Sequence, residues 1–317
     1  MVKHLIDPEL LVEPEAVMDF DLWADLPTSR VLFNKYLEAR LADSPLLAHV
    51  PFKDHNIPGL EQDPEVRVRV YQPTNISNPA PAMLWIHGGG YVLGTIDLEV
   101  PLMQMMADGV GCTIVAVEYR LAPEHPFPAP LNDCYAALQW MTVNTEQLNI
   151  DPKRIAVGGV SAGAGLAAAL ALMVRDRGEL ELMFQLLFCP MLDDRNDQPS
   201  THFELTGIAW DRDSNRKGWD AYLGDQKPEN LPGYAVPSRV EDLSNLPPAY
   251  IGIGSLDLFL DENIDYARRL LEAGVAAELH VFPGGTHAFE FKVPGARVSR
   301  RAHTIYFDVL KQAFGLE

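Results

Sequence analysis

The chain has 317 residues, 47% of them apolar, which suits one large α/β domain with an elaborated lid. No run of about eighteen uncharged apolar residues occurs, so the sequence excludes a membrane-spanning helix. Its 25 basic and 44 acidic residues give a formal charge of −19, which argues against nucleic-acid and membrane partners and favours neutral or cationic small molecules.

The first nine residues, Met1 to Glu9, break their apolar stretch too early for a secretory signal, which predicts a cytoplasmic protein. Up to about residue 50 the pattern is helical, with apolar spacing at Leu32, Tyr36, Leu37 and Leu41. Val66 to Val70 alternates apolar and charged residues and predicts a half-exposed edge strand entering antiparallel. Ala82 to Ile86 and Thr113 to Val117 do not alternate, as expected of strands buried on both faces of a mostly parallel sheet. Pro123, Pro126, Pro128 and Pro130 then impose a stiff loop before a helix over Leu131 to Val143. A strand at Ile155 to Val157, a helix over Gly163 to Arg177 and a strand at Phe184 to Phe188 follow.

Residues 191–235, rich in charge, Trp and Gly, break this rhythm where an α/β sheet can carry an inserted lid. It resumes with a strand at Ala249 to Ile253, a helix over Ile264 to Ala273 stopped by Gly274, a strand at Glu278 to Phe282 and a terminal amphipathic helix over Val298 to Phe314. The alternation predicts the α/β class, built from βαβ units. Cys112, Cys134 and Cys189 form neither a disulfide framework nor a C-x-x-C pattern and read as buried, reduced and structural.

Gly159-Val160-Ser161-Ala162-Gly163 lies between a predicted strand and an Ala-rich predicted helix, so a G-x-S-x-G falls at a strand-to-helix turn. A β-carbon at either glycine would crowd the backbone, while the turn pushes the Ser161 hydroxyl outward as a nucleophile. His87-Gly88-Gly89-Gly90 directly follows the strand ending at Ile86. Its bare amides suit a developing oxyanion, and Gly88 and Gly89, joined by the Ala162 amide at the helix N-terminus, are assigned as its donors.

A serine nucleophile needs a base and an acid that orients it, in the chain order serine, acid, histidine for this kind of sheet. Asp257 follows the strand Tyr250 to Ile253 by a short turn, and His287 follows Leu279 to Phe282 through Pro283-Gly284-Gly285-Thr286. Both fall at the carboxyl ends of strands, where α/β active sites assemble. Asp261 and Glu262 are nearby rivals for the acid, but they open a helix, where carboxylates serve as N-terminal charge partners. Of the other histidines, His87 is placed to shape the glycine loop, His280 lies within a strand and His303 within the last helix. No H-E-x-x-H, dinucleotide fingerprint or G-K-[ST] phosphate loop occurs, so no metal and no cofactor are implied.

With these residues in place the sequence resembles the hormone-sensitive lipase family, the bacterial family IV carboxylesterases. The resemblance rests on His87-Gly88-Gly89-Gly90-Tyr91, Glu118-Tyr119-Arg120-Leu121-Ala122-Pro123-Glu124, the serine elbow, Asp257 with Asp261-Glu262, and Gly285-Thr286-His287-Ala288-Phe289. It implies the α/β-hydrolase fold, with a catalytic domain at 51–190 and 236–317 and a two-part helical cap at 1–50 and 191–235. It also implies hydrolysis of short-to-medium acyl esters through an acyl-enzyme, no cofactor, and possible homodimerisation through an edge strand. Two positions depart from the pattern: Val160 stands where the family has Asp or Thr, and Ala164 where Gly is frequent. The alternatives are an amide or lactone hydrolase and a non-catalytic ligand receptor on the same fold, the latter having lost the histidine that His287 supplies here.

Overall fold

The computed structural model describes residues 3–11, 21–42, 44–76, 79–203, 210–226 and 232–316. Parts of the two expected cap segments, within 1–50 and 191–235, therefore lie outside the described residues.

Among the described residues one eight-stranded sheet runs in the order β1-β2-β4-β3-β5-β6-β7-β8. Its strands are β1 (Phe52–Ile57), β2 (Val66–Tyr71), β3 (Ala80–Ile86), β4 (Thr113–Glu118), β5 (Ile150–Val160), β6 (Phe184–Phe188), β7 (Ala249–Gly254) and β8 (Ala277–Phe282). β2 is antiparallel to both β1 and β4, and every pairing from β4 across to β8 is parallel. Every residue of β3 is buried. In its register Leu84 lies opposite Val115 on one side and Val157 on the other, a row of apolar side chains that packs helices against both faces.

The helices are α1 (Leu26–Leu41), α2 (Val100–Val110), α3 (Ala129–Val143), α4 (Thr145–Leu148), α5 (Ala162–Arg177), α6 (Arg212–Leu223), α7 (Leu260–Glu272), α8 (Phe289–Lys292) and α9 (Arg297–Phe314). α5 is buried from Ala162 to Val174, which its run of alanines permits because small side chains let the helix lie close on the sheet. α2, between β3 and β4, was not expected from the sequence. Among the described residues no helix is long and apolar enough to cross a membrane.

One expectation is corrected. Val66 to Val70 is antiparallel, as the sequence suggested, but it is an inner, mostly buried strand, and β1 forms the edge instead. The alternating arginines mislead because their charges are matched within the fold. Arg69, 7% exposed, holds Asp54 at 2.5 and 2.8 Å and lies 4.6 Å over the Phe52 ring. Arg67 pairs with Asp54 and Asp97.

The segment before α1 meets the insertion, and α1 itself is tied to the loops after β3 and β4. Trp23 donates from its indole to the Ser214 hydroxyl at 3.2 Å and packs on Trp210, with ring centroids 6.2 Å apart. Arg30 of α1 forks onto Glu124 at 2.9 and 2.8 Å and donates to the carbonyls of Val92 and Ala122. Glu262 and Asp261, at the start of α7, accept from the backbone amides of Leu192 and Ser200, each at 2.7 Å. The two carboxylates that the sequence marks as helix charge partners thus also pin the insertion's first turns.

Candidate active site

Ser161 sits between β5 and α5 with φ 57° and ψ −121°, a left-handed backbone that a non-glycine residue adopts only under constraint. Here the constraint is a set of hydrogen bonds. Its amide donates to the Phe188 carbonyl at 2.8 Å, and its carbonyl accepts from Gly165 and Met191 at 3.0 and 3.1 Å. A β-carbon at Gly163 would come within 2.1 Å of the Ile86 carbonyl oxygen, so only glycine lets the helix start against the end of β3.

The parallel order of β3, β5, β7 and β8 brings their carboxyl ends to one edge of the sheet. There the Ser161 hydroxyl lies 2.9 Å from His287 Nε2, and His287 Nδ1 lies 2.8 Å from Asp257 Oδ2. Asp257 is fully buried, and its other oxygen accepts from the Phe259 amide at 3.0 Å. The edge of the Phe259 ring closes on His287 at 5.1 Å. Because Nδ1 faces a carboxylate, it carries the proton, which leaves Nε2 free to accept from the serine.

Gly88 lies directly beside this serine: a β-carbon there would meet the Val160 carbonyl at 2.9 Å and the Ser161 β-carbon at 3.5 Å. Gly89 has φ 122°, and its carbonyl accepts from Val92 and Leu93, which curls the loop. Ala162 is the first residue of α5 and is buried. His87 does shape this loop. It stacks on Tyr119 with centroids 4.2 Å apart, and its Nδ1 lies 2.7 Å from the Gly88 carbonyl. Burial lowers its pKa, so the ring is neutral there and Nδ1 is the donor.

The three cysteines are free and buried. Cys189, which follows β6, has its sulfur within 4.8 Å of ligand atoms of Asp257 and His287. Those atoms bond each other, and burial, with Asp257 and Glu290 nearby, pushes the Cys189 thiol well up, so this donor set is a protonated thiol beside an occupied pair.

A cavity of about 520 Å³ opens on Ser161 and His287. Its walls come from sequence-distant segments: Phe33, Leu37 and Leu41 of α1, Leu102 and Met105 of α2, Trp210 of the insertion, and Phe291 and His303 near the C-terminus. Val160 lines it beside the serine, so the departure before the nucleophile adds an apolar patch to the wall. Two acidic residues also line it. Glu99 accepts from the Trp85 indole at 2.7 Å, and burial raises its pKa to about 8 against that bond, with Glu118 adding to the rise. Glu290 is likewise raised by burial, to about 7, and bonds the Tyr306 hydroxyl at 3.0 Å. The structure brings together the serine, acid, histidine and glycine loop that the sequence singles out; Glu99, Glu290 and Trp210 were not singled out, because no local motif marks a residue whose place depends on where distant helices pack. A separate polar cleft, about 640 Å³ between Asp63, Asn132 and Tyr234, contains none of these residues.

A hydroxyl raised above a parallel sheet and backed by a carboxylate-oriented imidazole is the equipment of acyl transfer. The chain belongs to the α/β-hydrolase family, whose model, described as alpha/beta hydrolase fold, matches residues 83–291. Within that superfamily it is a serine-type carboxylic ester hydrolase resembling the bacterial family IV, hormone-sensitive-lipase-like carboxylesterases. It is 38% identical over 242 residues to carboxylesterase NlhH of Mycobacterium tuberculosis, covering 73% of this chain and 74% of that relative. An arylesterase of Saccharolobus solfataricus is 32% identical over 265 residues, 80% of this chain and 81% of its own. Among solved structures, a bacterial heroin esterase superposes with a TM-score of 0.93 at 42% identity, covering 99% of each chain. Esterase LipW from Mycobacterium marinum does so at 0.89 and 37%, covering 98% of this chain and 97% of its own.

Proposed function

We propose that Ser161 is the nucleophile, His287 its general base and Asp257 the group that orients the base. The observation that carries this reading is the unbroken chain from Asp257 Oδ2 through His287 to the Ser161 hydroxyl, at 2.8 and 2.9 Å. As Ser161 attacks the ester carbonyl, its proton passes to His287 Nε2. The amides of Gly88, Gly89 and Ala162 hold the oxyanion, each donor contributing about 3 kcal/mol to the transition state. Collapse returns the proton to the leaving alcohol and leaves an acyl-enzyme, which water, deprotonated by His287, then opens to the free acid. No cofactor enters this scheme.

The substrates are short-to-medium acyl esters. The bounded cavity supports that size, and so does a relative named ethyl acetate hydrolase, from Pseudomonas putida, 34% identical over 231 residues and matching 70% of each chain. Residues 1–50 and 191–235 act as a two-part cap over a catalytic domain formed by 51–190 and 236–317. The contacts of Trp23 with the insertion and of Arg30 with Glu124 support this division. Three unpaired cysteines support residence in the reducing cytoplasm. A homodimer through the edge strand β8 is supported by Val281, which is 40% exposed there.

The test is hydrolysis of nitrophenyl esters of two to twelve carbons by the wild type and by Ser161→Ala. The variant is expected to lose activity by at least about 10⁴-fold, with the wild type favouring the shorter chains. Wild-type turnover surviving in Ser161→Ala overturns the nucleophile, and a preference for the longest chains overturns the substrate class.

A further inference from the structure

Glu99 lines the cavity, and among the described residues no cation pairs with its carboxyl. Among the described residues its hydrogen-bond partner is the Trp85 indole, no Lys or Arg pairs with it, and the nearest charged influence on it is another acid, Glu118. It is half-buried and lines the cavity. Glu290, the second carboxyl on the wall, differs because Lys292 stands near it and the Tyr306 hydroxyl bonds it. His303 adds no positive charge, since burial lowers its pKa and keeps it neutral. Phe33, Trp210 and Phe291 supply aromatic surface to the same cavity.

A carboxylate on the wall of a cavity that aromatic rings also line, with the one lysine of that wall, Lys292, standing by Glu290, replaces the hydration of an ammonium better than that of any neutral group. The ring faces attract a cation, and the carboxylate pairs with it. The whole-chain charge of −19 draws such substrates from solution. We propose that the cavity selects esters carrying an ammonium group, with Glu99 as the residue that recognises the cation. This rests on the esterase reading above. When the cation arrives, a protonated Glu99 releases its proton to solvent and the ion pair takes its place.

The experiment compares matched substrates that differ only in N⁺ or C. One pair carries the group on the alcohol, as a trimethylammonioethyl acetate and its 3,3-dimethylbutyl counterpart. The other carries it on the acyl chain, as a 4-(trimethylammonio)butanoate ester and its tert-butyl counterpart. The wild type is expected to favour the cationic member of at least one pair by about tenfold in kcat/KM, and Glu99→Gln to bring that ratio close to one. The exposed Glu272→Gln serves as a control that keeps the ratio. Equal or lower kcat/KM for the cationic member in both pairs overturns the proposal from the wild type alone, whether or not the variant folds. A preference that survives in Glu99→Gln overturns the role of Glu99. If neither member of either pair is hydrolysed, nor any nitrophenyl ester, the esterase reading itself has failed.

Discussion

Glu290 lies three residues beyond His287 with 2% of its surface exposed, and burial lifts its carboxyl from the ordinary 4.5 to about 7. The folded protein therefore keeps a proton that the unfolded chain gives up above about 4.5. Its stability contribution is full below that pH and declines as pH rises towards 7, a loss on the order of 3 kcal/mol for this residue. Glu99 and Glu262, also raised by burial, tilt the curve the same way. Calorimetry between pH 5 and 8 is expected to show Tm falling more steeply in the wild type than in Glu290→Gln, by several degrees across the interval. Parallel curves would show that Glu290 is ionised in the native state. The residues legible from sequence, Ser161, Asp257 and His287, each follow a strand within a few positions, so a one-dimensional pattern locates them. Glu99 and Glu290 carry no such mark, because burial among distant segments sets their protonation and Trp85 and Tyr306, on other elements of the fold, hold their side chains.

Arg30 joins α1 to the loop after β4 through two bonds to Glu124 and one to the Ala122 carbonyl, and to the loop after β3 through the Val92 carbonyl. The Glu124 side chain is 48% exposed, so the ion pair alone contributes little, whereas the bonds to carbonyls position the helix whose Phe33, Leu37 and Leu41 line the cavity. Arg30→Met is expected to raise KM for nitrophenyl esters several-fold and leave Tm within about 2 °C, because the catalytic sheet does not depend on the tether. A large fall in kcat at unchanged KM would place Arg30 in the chemistry rather than in the cap. Strands and helices with apolar repeats were legible in the sequence, but β1 and α2 were not. β1 reads Phe-Lys-Asp-His-Asn-Ile and is exposed along most of its length, so it has no buried face to betray it. In α2, Pro101 opens the helix and Gly109 sits near its end, which disguises a helix as loop punctuation.

For the molecule as a whole, the sheet ends in two unlike edges. β1 is polar from Lys53 to Asn56 and carries its exposed apolar side chain, Phe52 at 44%, at its very start beneath the Arg69 guanidinium, whereas β8 presents Val281 at 40% exposure beside the pair His280 and Glu278. If β8 mediates the homodimer, Val281→Lys should shift the protein from dimer to monomer mass in light scattering while leaving hydrolysis intact. A wild type that is monomeric at all concentrations, or a variant that stays dimeric, removes β8 as the interface. The α/β class and the parallel run were legible because doubly buried strands are continuously apolar. The place of β2 was not, because ion pairs inside the fold let arginines occupy an inner strand.

The glycines at 159 and 163 and the backbone bonds of Ser161 leave the elbow no freedom to vary, whereas the cavity is walled by α1, α2, the insertion and the C-terminal helices. Reactivity and taste are thereby written in separate stretches of chain. A lineage, or a directed-evolution campaign, can redraw the walls residue by residue and explore new esters while inheriting an unaltered catalytic engine.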